Sequence, residues 1–127
     1  MKRIGKNKSN IGVAGEDIAL KWLISKGFIF VTQNFTSFHG EIDIIVSKDN
    51  VTYFVEVKSA SISHETKNFI DPRENFSKSK SEKMMRTIEY YLIKNKLVQN
   101  FKTLLICVYI NKNTKKARIK YIENPIL

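Results

Sequence analysis

Residues 40–58 read GEIDIIVSKDNVTYFVEVK, and this stretch decides how the chain folds. Two largely apolar runs flank the dipeptide Asp49-Asn50, whose residue types favour a tight turn. A hairpin centred on that dipeptide pairs residues whose numbers sum to 99. This register places Asp43 directly opposite Glu56 on the neighbouring strand.

The same register divides the hairpin into two faces. One face is expected to be a continuous apolar layer made of Ile42, Ile44 and Val46 with Val57, Val55 and Tyr53. The other face is apolar near the turn, where Ile45 opposes Phe54, and charged farther away. A slip of one residue would scatter charge over both faces, which a half-buried sheet resists. The pattern therefore favours this register.

The charged end of the hairpin brings acids and a lysine together. Asp43 faces Glu56 and Glu41 faces Lys58, so each pair has Cβ atoms roughly 4.5–5.5 Å apart. Two ionised carboxylates at this distance repel each other. A divalent cation bound between them removes the energetic cost of the repulsion. We therefore expect a site for a hard metal ion with Lys58 beside it. The structural alternative is an ion pair between Glu41 and Lys58, with the other two acids solvated, and for Glu41 this interpretation is preferred.

Hydrophobic periodicity predicts the remaining elements. The expected order is one helix, three strands, a second helix and two strands, which packs as an α/β fold with a mixed β-sheet flanked by helices. The expected bounds are Ala14–Lys26 for the first helix, Phe28–Thr32, Glu41–Ser47 and Val51–Lys58 for three strands, Ser79–Lys96 for the second helix, and Lys102–Ile110 and Ala117–Ile122 for the last strands.

The segments between and before these elements are also assigned. Ser79 and Glu82 have the spacing of a capping box at the start of the second helix. Ser59–Asn75 is predicted to be a polar loop. Residues 1–10 are predicted to form a basic flexible arm, and residues 11–127 a single domain of ordinary size.

Composition narrows the class of partner. The chain has 22 Lys and Arg against 12 Asp and Glu, a formal net charge of +10, which favours nucleic acid as a partner. The single cysteine, Cys107, excludes an internal disulfide and lies in an apolar run that predicts a buried thiol. No apolar run is long enough to span a bilayer, and the first residues lack the pattern of an export signal. We therefore expect a cytoplasmic protein with no membrane partner.

Several short motifs resemble one known family. They are Gly15-Glu16, Gly27, Asn34-Phe35, Gly40-Glu41-Ile42-Asp43, Phe54-Val55-Glu56-Val57-Lys58, Lys80 and the closing Tyr121-Ile122-Glu123-Asn124. From about Gly12 to its end, the chain is similar to the YraN-like family of small bacterial proteins of uncharacterised role. That family in turn resembles the PD-(D/E)XK nuclease superfamily, near the archaeal Holliday-junction resolvases. The resemblance implies a restriction-endonuclease-like fold in the order α-β-β-β-α-β-β.

The resemblance also implies a role for each matching residue. Asp43 and Glu56 would bind Mg²⁺ or Mn²⁺ together with the carbonyl oxygen of Val57, since hard cations prefer oxygen ligands. Glu16 would bind the metal through water or complete a second site, and an ordinary first-turn acid favoured by the helix dipole is the alternative. Lys58 would orient or deprotonate the attacking water.

Three basic residues of the second helix, Lys80, Lys83 and Arg86, are candidate phosphate contacts, and Lys80 also matches the family. A solvated helix face explains the other two equally well. The function that the resemblance implies is a metal-dependent endonuclease that hydrolyses phosphodiester bonds of DNA, ahead of RNA, with branched and single-stranded DNA as candidate substrates. The alternatives are a non-catalytic nucleic-acid-binding module and an adaptor in DNA processing. Junction-cutting relatives work as dimers, so a homodimer is an open alternative to a monomer.

Overall fold

Five strands form one mixed sheet in the computed structural model, which describes residues 10–62, 77–97 and 100–125. The elements are α1 (Asn10–Ser25), β1 (Ile29–Ser37), β2 (Gly40–Lys48), β3 (Val51–Ile62), α2 (Lys78–Lys94), β4 (Phe101–Asn111) and β5 (Lys116–Glu123). The strands lie in the order β1-β2-β3-β4-β5, and only the β3–β4 pair is parallel. The predicted α/β class and the order α-β-β-β-α-β-β are confirmed.

The β2–β3 hairpin has the predicted turn, and it has the predicted register from the turn as far as Ile44 and Val55. Asp49 and Asn50 both have positive φ, 52° and 64°, as a two-residue type I′ turn requires. Regular pairing runs from Lys48 opposite Val51 to Ile44 opposite Val55. Asn and Asp tolerate this left-handed conformation better than other non-glycine residues, so the local sequence sets the turn.

The two helices pack on opposite faces of the sheet. On one face, Ala19 and Leu23 of α1 are fully buried against a cluster that includes Val46 and Val55. On the other face, Met84 and Ile88 of α2 belong to a cluster with Ile45, Phe54 and Tyr91. The apolar stripe of α2 is therefore core, and each helix covers apolar side chains that alternate along the central strands.

One member of the predicted apolar layer lies on the wrong face. Ile44 belongs to the cluster under α1, whereas Ile42 belongs to the cluster under α2. Residues two apart in a regular strand share a face, so β2 must be irregular around the residue between them, Asp43. The expected continuous layer through Ile42 is therefore wrong, because β2 changes face at the candidate site.

The helix ends differ from the prediction in detail. Gly27 follows the end of α1 in a left-handed conformation, with φ +94°. Its N–H donates to the Ile24 carbonyl, and the Phe28 N–H donates to the Leu23 carbonyl. The N-cap of α2 is Ser77, whose hydroxyl accepts from the Lys80 N–H at 3.2 Å. The capping box at Ser79 is therefore wrong, since that residue lies inside the helix.

Strand β3 is longer than predicted. Residues 59–62 continue the strand because they pair with residues 108–111 of β4, so the polar loop cannot begin at Ser59. The rest of that predicted loop, residues 63–75, lies outside the described residues, as does the predicted basic arm except for Asn10, the first residue of α1. Within the described part of the chain, no helix is both long and apolar enough to cross a membrane.

Candidate functional site

A cavity of about 370 Å³ lies between the sheet and the first turns of α2. It gathers four of the predicted site residues, and its lining is Gly40, Glu41, Glu56, Lys58, Lys80, Lys83, Met84 and Thr87. Its volume falls within the usual range for small-ligand pockets. Two carboxylates and three ammonium groups thus surround one concave space that could hold a phosphate-bearing substrate.

Glu56 and Lys58 lie side by side in this cavity. They are two residues apart on β3 and therefore share the face that Phe54 presents to α2. Lys58 Nζ is 3.8 Å from Glu56 Oε2, and the two side chains are 30% and 16% exposed, respectively. The prediction that they project together is confirmed. Both groups keep some contact with solvent, so a ligand entering the cavity can reach them.

Asp43 is completely buried, and its carboxylate takes part in joining the strands. Its Oδ2 accepts a 2.9 Å hydrogen bond from the backbone N–H of Val57. In a regular ladder continued from the turn, that N–H would face the carbonyl of Ile42. Regular pairing ends at Ile44 and Val55, however, so Asp43 and Glu56 are not opposed within it. The side chain of Asp43 provides the acceptor where the ladder has stopped.

Glu16 is buried on α1, only 8% exposed, next to an unusually close contact between helix and strand. A Cβ atom on Gly15 would overlap with the hydroxyl of Ser59, the residue that follows Lys58. Gly15 therefore lets the backbone of α1 approach β3 beside the candidate site. The sequence signal for this contact was a glycine inside a helix, where it costs about 1 kcal/mol relative to alanine.

A second close approach lies in the wall of the cavity itself, between Gly40 and Thr87. Gly40 has φ +152°, and a Cβ there would lie 3.2 Å from Thr87 Oγ1 of α2. The hydroxyl of Thr87 in turn donates to the Lys83 carbonyl at 2.9 Å. This fixes the start of β2 against the helix that carries the two cavity lysines. In the sequence, Gly40 is recognisable only as part of a motif. Its close packing against α2 becomes apparent once the position of that helix is known.

The donor chemistry of the acids fits a hard divalent cation, because all the candidate groups are oxygen ligands. Within residues 10–62, 77–97 and 100–125, no three His, Cys, Asp or Glu side chains come together as a metal-binding group. The assignment of Asp43, Glu56, Glu16 and the Val57 carbonyl as one metal set therefore stays a prediction. Any ion would depend first on the two acids of adjacent strands, Asp43 and Glu56.

The three basic candidates of α2 separate in the structure. Lys80 and Lys83 line the cavity, while Arg86 is exposed and is not among the lining residues. Residues three apart on a helix are close neighbours, so Arg86 lies one step beyond the pair along the helix. The structure thus groups two of the three with Glu56 and Lys58. A role for Arg86 in phosphate binding stays a prediction.

A slightly larger cavity, of about 400 Å³, lies at the turn end of the hairpin and contains none of the predicted residues. Four of its nine lining residues are aromatic, and their rings contact each other in pairs. The Trp22 and Tyr121 centroids are 5.0 Å apart, and those of Phe28 and Tyr53 are 4.8 Å apart. The first contact packs α1 against β5, and the second packs Phe28 against β3. Glu56 and the candidate lysines Lys58, Lys80 and Lys83 line the smaller cavity, whereas the buried acids Asp43 and Glu16 are not among its lining residues.

Comparison with known proteins places the chain in one family. Residues 15–120 match the model of the Uncharacterised protein family UPF0102. A UPF0102 protein of Campylobacter lari is 42% identical over 113 residues, which cover 89% of this chain and 90% of that protein. Another from Campylobacter fetus subsp. fetus is 37% identical over 121 residues, covering 95% and 97%. A third, from Campylobacter jejuni, is 39% identical over 113 residues, covering 89% and 90%. The chain therefore belongs to the uncharacterised protein family UPF0102.

Proposed function

We propose that this protein is a metal-dependent nuclease that hydrolyses phosphodiester bonds of DNA in the cavity between β3 and α2. The observation that carries the proposal is the pair Glu56 and Lys58, 3.8 Å apart in a cavity whose helical wall bears Lys80 and Lys83. The element order and the motif residues, which resemble the PD-(D/E)XK superfamily, support it further. A carboxylate, an adjacent ammonium group and a basic wall are the groups that phosphodiester hydrolysis with a metal ion needs.

The acids would hold the ion. Asp43 and Glu56 are the first ligands to consider, with the Val57 carbonyl and the buried Glu16 completing the oxygen set. A bound Mg²⁺ or Mn²⁺ supplies Lewis acidity and makes a nearby water more acidic. The hydrogen bond from Val57 N–H fixes the direction of the Asp43 carboxylate before any ion arrives. Such preorganisation lowers the cost of binding and of reaction.

The lysines would act on the substrate. Lys58 lies close enough to Glu56 to orient a water and to offset negative charge that develops on the phosphate. Lys80 and Lys83 face the same cavity from α2 and would hold phosphates of the bound strand. The three ammonium groups thus divide into one at the reacting centre and two that position the backbone.

A cleavage screen tests the proposal. Wild-type protein is incubated with single-stranded, duplex, flap and four-way DNA in Mg²⁺, in Mn²⁺ and in EDTA. We expect cleavage of at least one substrate with a divalent ion, and its loss in both Glu56→Gln and Lys58→Gln. The matched control is Glu89→Gln, the same change at an exposed position of α2 outside the cavity. Full cleavage by Glu56→Gln under identical conditions would overturn the assignment.

The basic wall also suits a DNA-binding module without turnover, which is the second candidate. That protein would bind DNA with strong salt dependence, and Glu56→Gln would leave its affinity unchanged. Wild-type protein that binds but cuts none of the four substrates in any ion would favour this candidate. A third candidate, an adaptor, would bind DNA weakly at physiological salt and bind a particular protein partner tightly.

A further inference from the structure

A row of three exposed basic side chains runs along the last strand. Lys116, Arg118 and Lys120 alternate with Ala117 and Ile119 on β5, so they point to one face of the sheet. Ile119 packs against the core cluster under α1. The three basic residues, called the β5 basic row below, therefore face the opposite side, on which α2 and the candidate cavity lie.

The sheet register ties this row to Lys58. Lys58 pairs with Cys107 of β4, and Cys107 pairs with Lys120 of β5. Lys58 and Lys120 thus share one face in a single cross-strand line, with backbones about 10 Å apart because neighbouring strands lie roughly 4.8 Å apart. Arg118 lies in the line of Ala60. It is therefore about 6.6 Å farther along the strand direction, at roughly 3.3 Å per residue.

The far end of the row is concave and basic. Lys116 and Arg118 line a cavity of about 310 Å³, together with Tyr109, Asn111, Thr114, Ala117 and Ile62. The Asn111 side chain accepts from the N–H groups of Asn113, at 2.9 Å, and Thr114, at 3.2 Å, and so shapes the β4–β5 turn. Two cations with hydroxyl groups nearby, and no acid among these lining residues, form an environment that suits a phosphate.

We propose that the β5 basic row binds the phosphodiester backbone of the nucleic acid that reaches Lys58, with a flanking phosphate in the cavity of Lys116 and Arg118. The inference rests on the proposed function, because the strand it holds is the substrate of that site. It extends the binding surface from the helical wall, across β3 and β4, to the edge of the sheet. Lys58 would then lie between two groups of cations rather than at the end of one.

The competing explanation is a charged edge strand. Lysines on an outer strand discourage pairing with other sheets, and that role needs no ligand. Protection of the edge, however, does not require the charged side chains to lie on one particular face of the sheet. All three basic residues of β5 lie on the face of the candidate site, whereas the alternating positions between them hold Ala117 and Ile119. Positive charge confined to one face, next to the cavity of Lys116 and Arg118, favours binding of a nucleic acid over simple protection of the edge.

The experiment compares two triple variants that each remove three positive charges. One is Lys116→Gln, Arg118→Gln, Lys120→Gln, and the control is Lys21→Gln, Lys94→Gln, Lys96→Gln, at exposed positions outside the row and both cavities. Anisotropy of labelled single-stranded and duplex DNA is measured in EDTA over a series of salt concentrations. Each lost phosphate contact lowers the salt slope by about 0.7 on single strands or 0.9 on duplex. We expect the row variant to lose two to three contacts and the control fewer than one.

The outcomes separate this inference from the proposed function. Equal salt slopes for the two triple variants would overturn the inference, and the row would then be a solvated edge. Because binding is measured without divalent ions, that result is independent of whether Glu56→Gln abolishes cleavage. A reduced slope without any cleavage by wild-type protein would support the row and reject the nuclease. If the row variant fails to fold, Lys120→Gln against Lys94→Gln gives the same comparison, one contact against none.

Discussion

The backbone N–H of Val57 donates to Oδ2 of Asp43 at 2.9 Å, joining β2 and β3 where their regular pairing has ended. The same carboxylate is completely buried. It therefore has a structural duty, to satisfy a strand N–H, beside its predicted role as a metal ligand. These two roles place different demands on the side chain, since the hydrogen bond needs an oxygen acceptor and the metal needs negative charge.

Substitutions at Asp43 should separate the two demands. Asp43→Asn keeps an oxygen acceptor for the Val57 N–H, so we expect it to lose little stability. Asp43→Ala leaves this buried N–H without that acceptor and should lower the free energy of unfolding by about 1–3 kcal/mol. Both variants should lose metal-dependent cleavage, because neither has the negative charge. Denaturation followed by the fluorescence of Trp22, the sole tryptophan, measures stability. Equal destabilisation by both variants would argue against the hydrogen bond as the structural role.

The contact between Gly15 and Ser59 gives a second prediction. Alanine in place of a helical glycine normally stabilises by about 1 kcal/mol, but here the new Cβ meets the Ser59 side chain. We expect Gly15→Ala to destabilise by about 1–3 kcal/mol, the usual cost of overpacking. In a Ser59→Gly background the same change should become neutral or stabilising, since the nearest remaining atom is the Ser59 Cα at 3.8 Å.

A double-mutant cycle of chemical denaturation measures this coupling directly. If Gly15→Ala costs the same in both backgrounds, the close approach of α1 to β3 does not limit the packing. A positive result would also explain why the helix that carries Glu16 lies so near Lys58. The position of Glu16 would then depend on Gly15, whose lack of a side chain allows α1 to approach β3.

The hairpin could be predicted because its signals are local. The Asp49-Asn50 turn and the alternation on either side define the pairing without reference to the rest of the chain. The change of face at Asp43 could not be predicted, because it places Ile42 under a helix about forty residues later in sequence. The capping-box spacing at Ser79 also gave the wrong start for α2, because the N-cap is Ser77, two residues earlier.

Long-range pairing explains the other differences. Residues 59–62 have loop-like composition, and they are strand because β4 pairs with them in parallel. Arg118 and Lys120 lie in the predicted strand Ala117–Ile122, but the relation of the β5 basic row to Lys58 follows only from the strand order β3-β4-β5. The sequence therefore shows the chemistry of each side chain. The face on which it lies and the residues beside it depend on the order and register of the strands.

Tyr91 provides a pH-dependent prediction within the cluster under α2. Burial raises the pKa of its hydroxyl above the ordinary value of 10.0. Above pH 10 the unfolded chain therefore releases this proton before the folded protein does, and the folded state holds more protons. The free energy of unfolding should fall as pH rises, by up to about 1.4 kcal/mol per pH unit, until the folded pKa is passed.

Urea denaturation at several alkaline pH values tests this dependence. Tyr91→Phe should flatten the decline, whereas Tyr90→Phe, at the exposed neighbouring position, should leave it in place. The two variants make the same chemical change one residue apart on α2, so composition is controlled. An unchanged slope in Tyr91→Phe would mean that other groups cause the alkaline loss of stability.

Metal binding can be tested without any cleavage assay, and this separates the site from its activity. An ion that binds only the folded protein stabilises it by RT ln(1 + [L]/Kd), about 2.7 kcal/mol at one hundred times Kd. We therefore expect Mn²⁺ to raise the melting temperature of the wild-type protein and of Glu89→Gln, relative to EDTA. Glu56→Gln and Asp43→Asn should lose most of that rise, because each removes one of the two carboxylates that the ion needs first. An equal rise in all four proteins would place the ion elsewhere and leave Glu56 and Lys58 as a simple ion pair in the cavity.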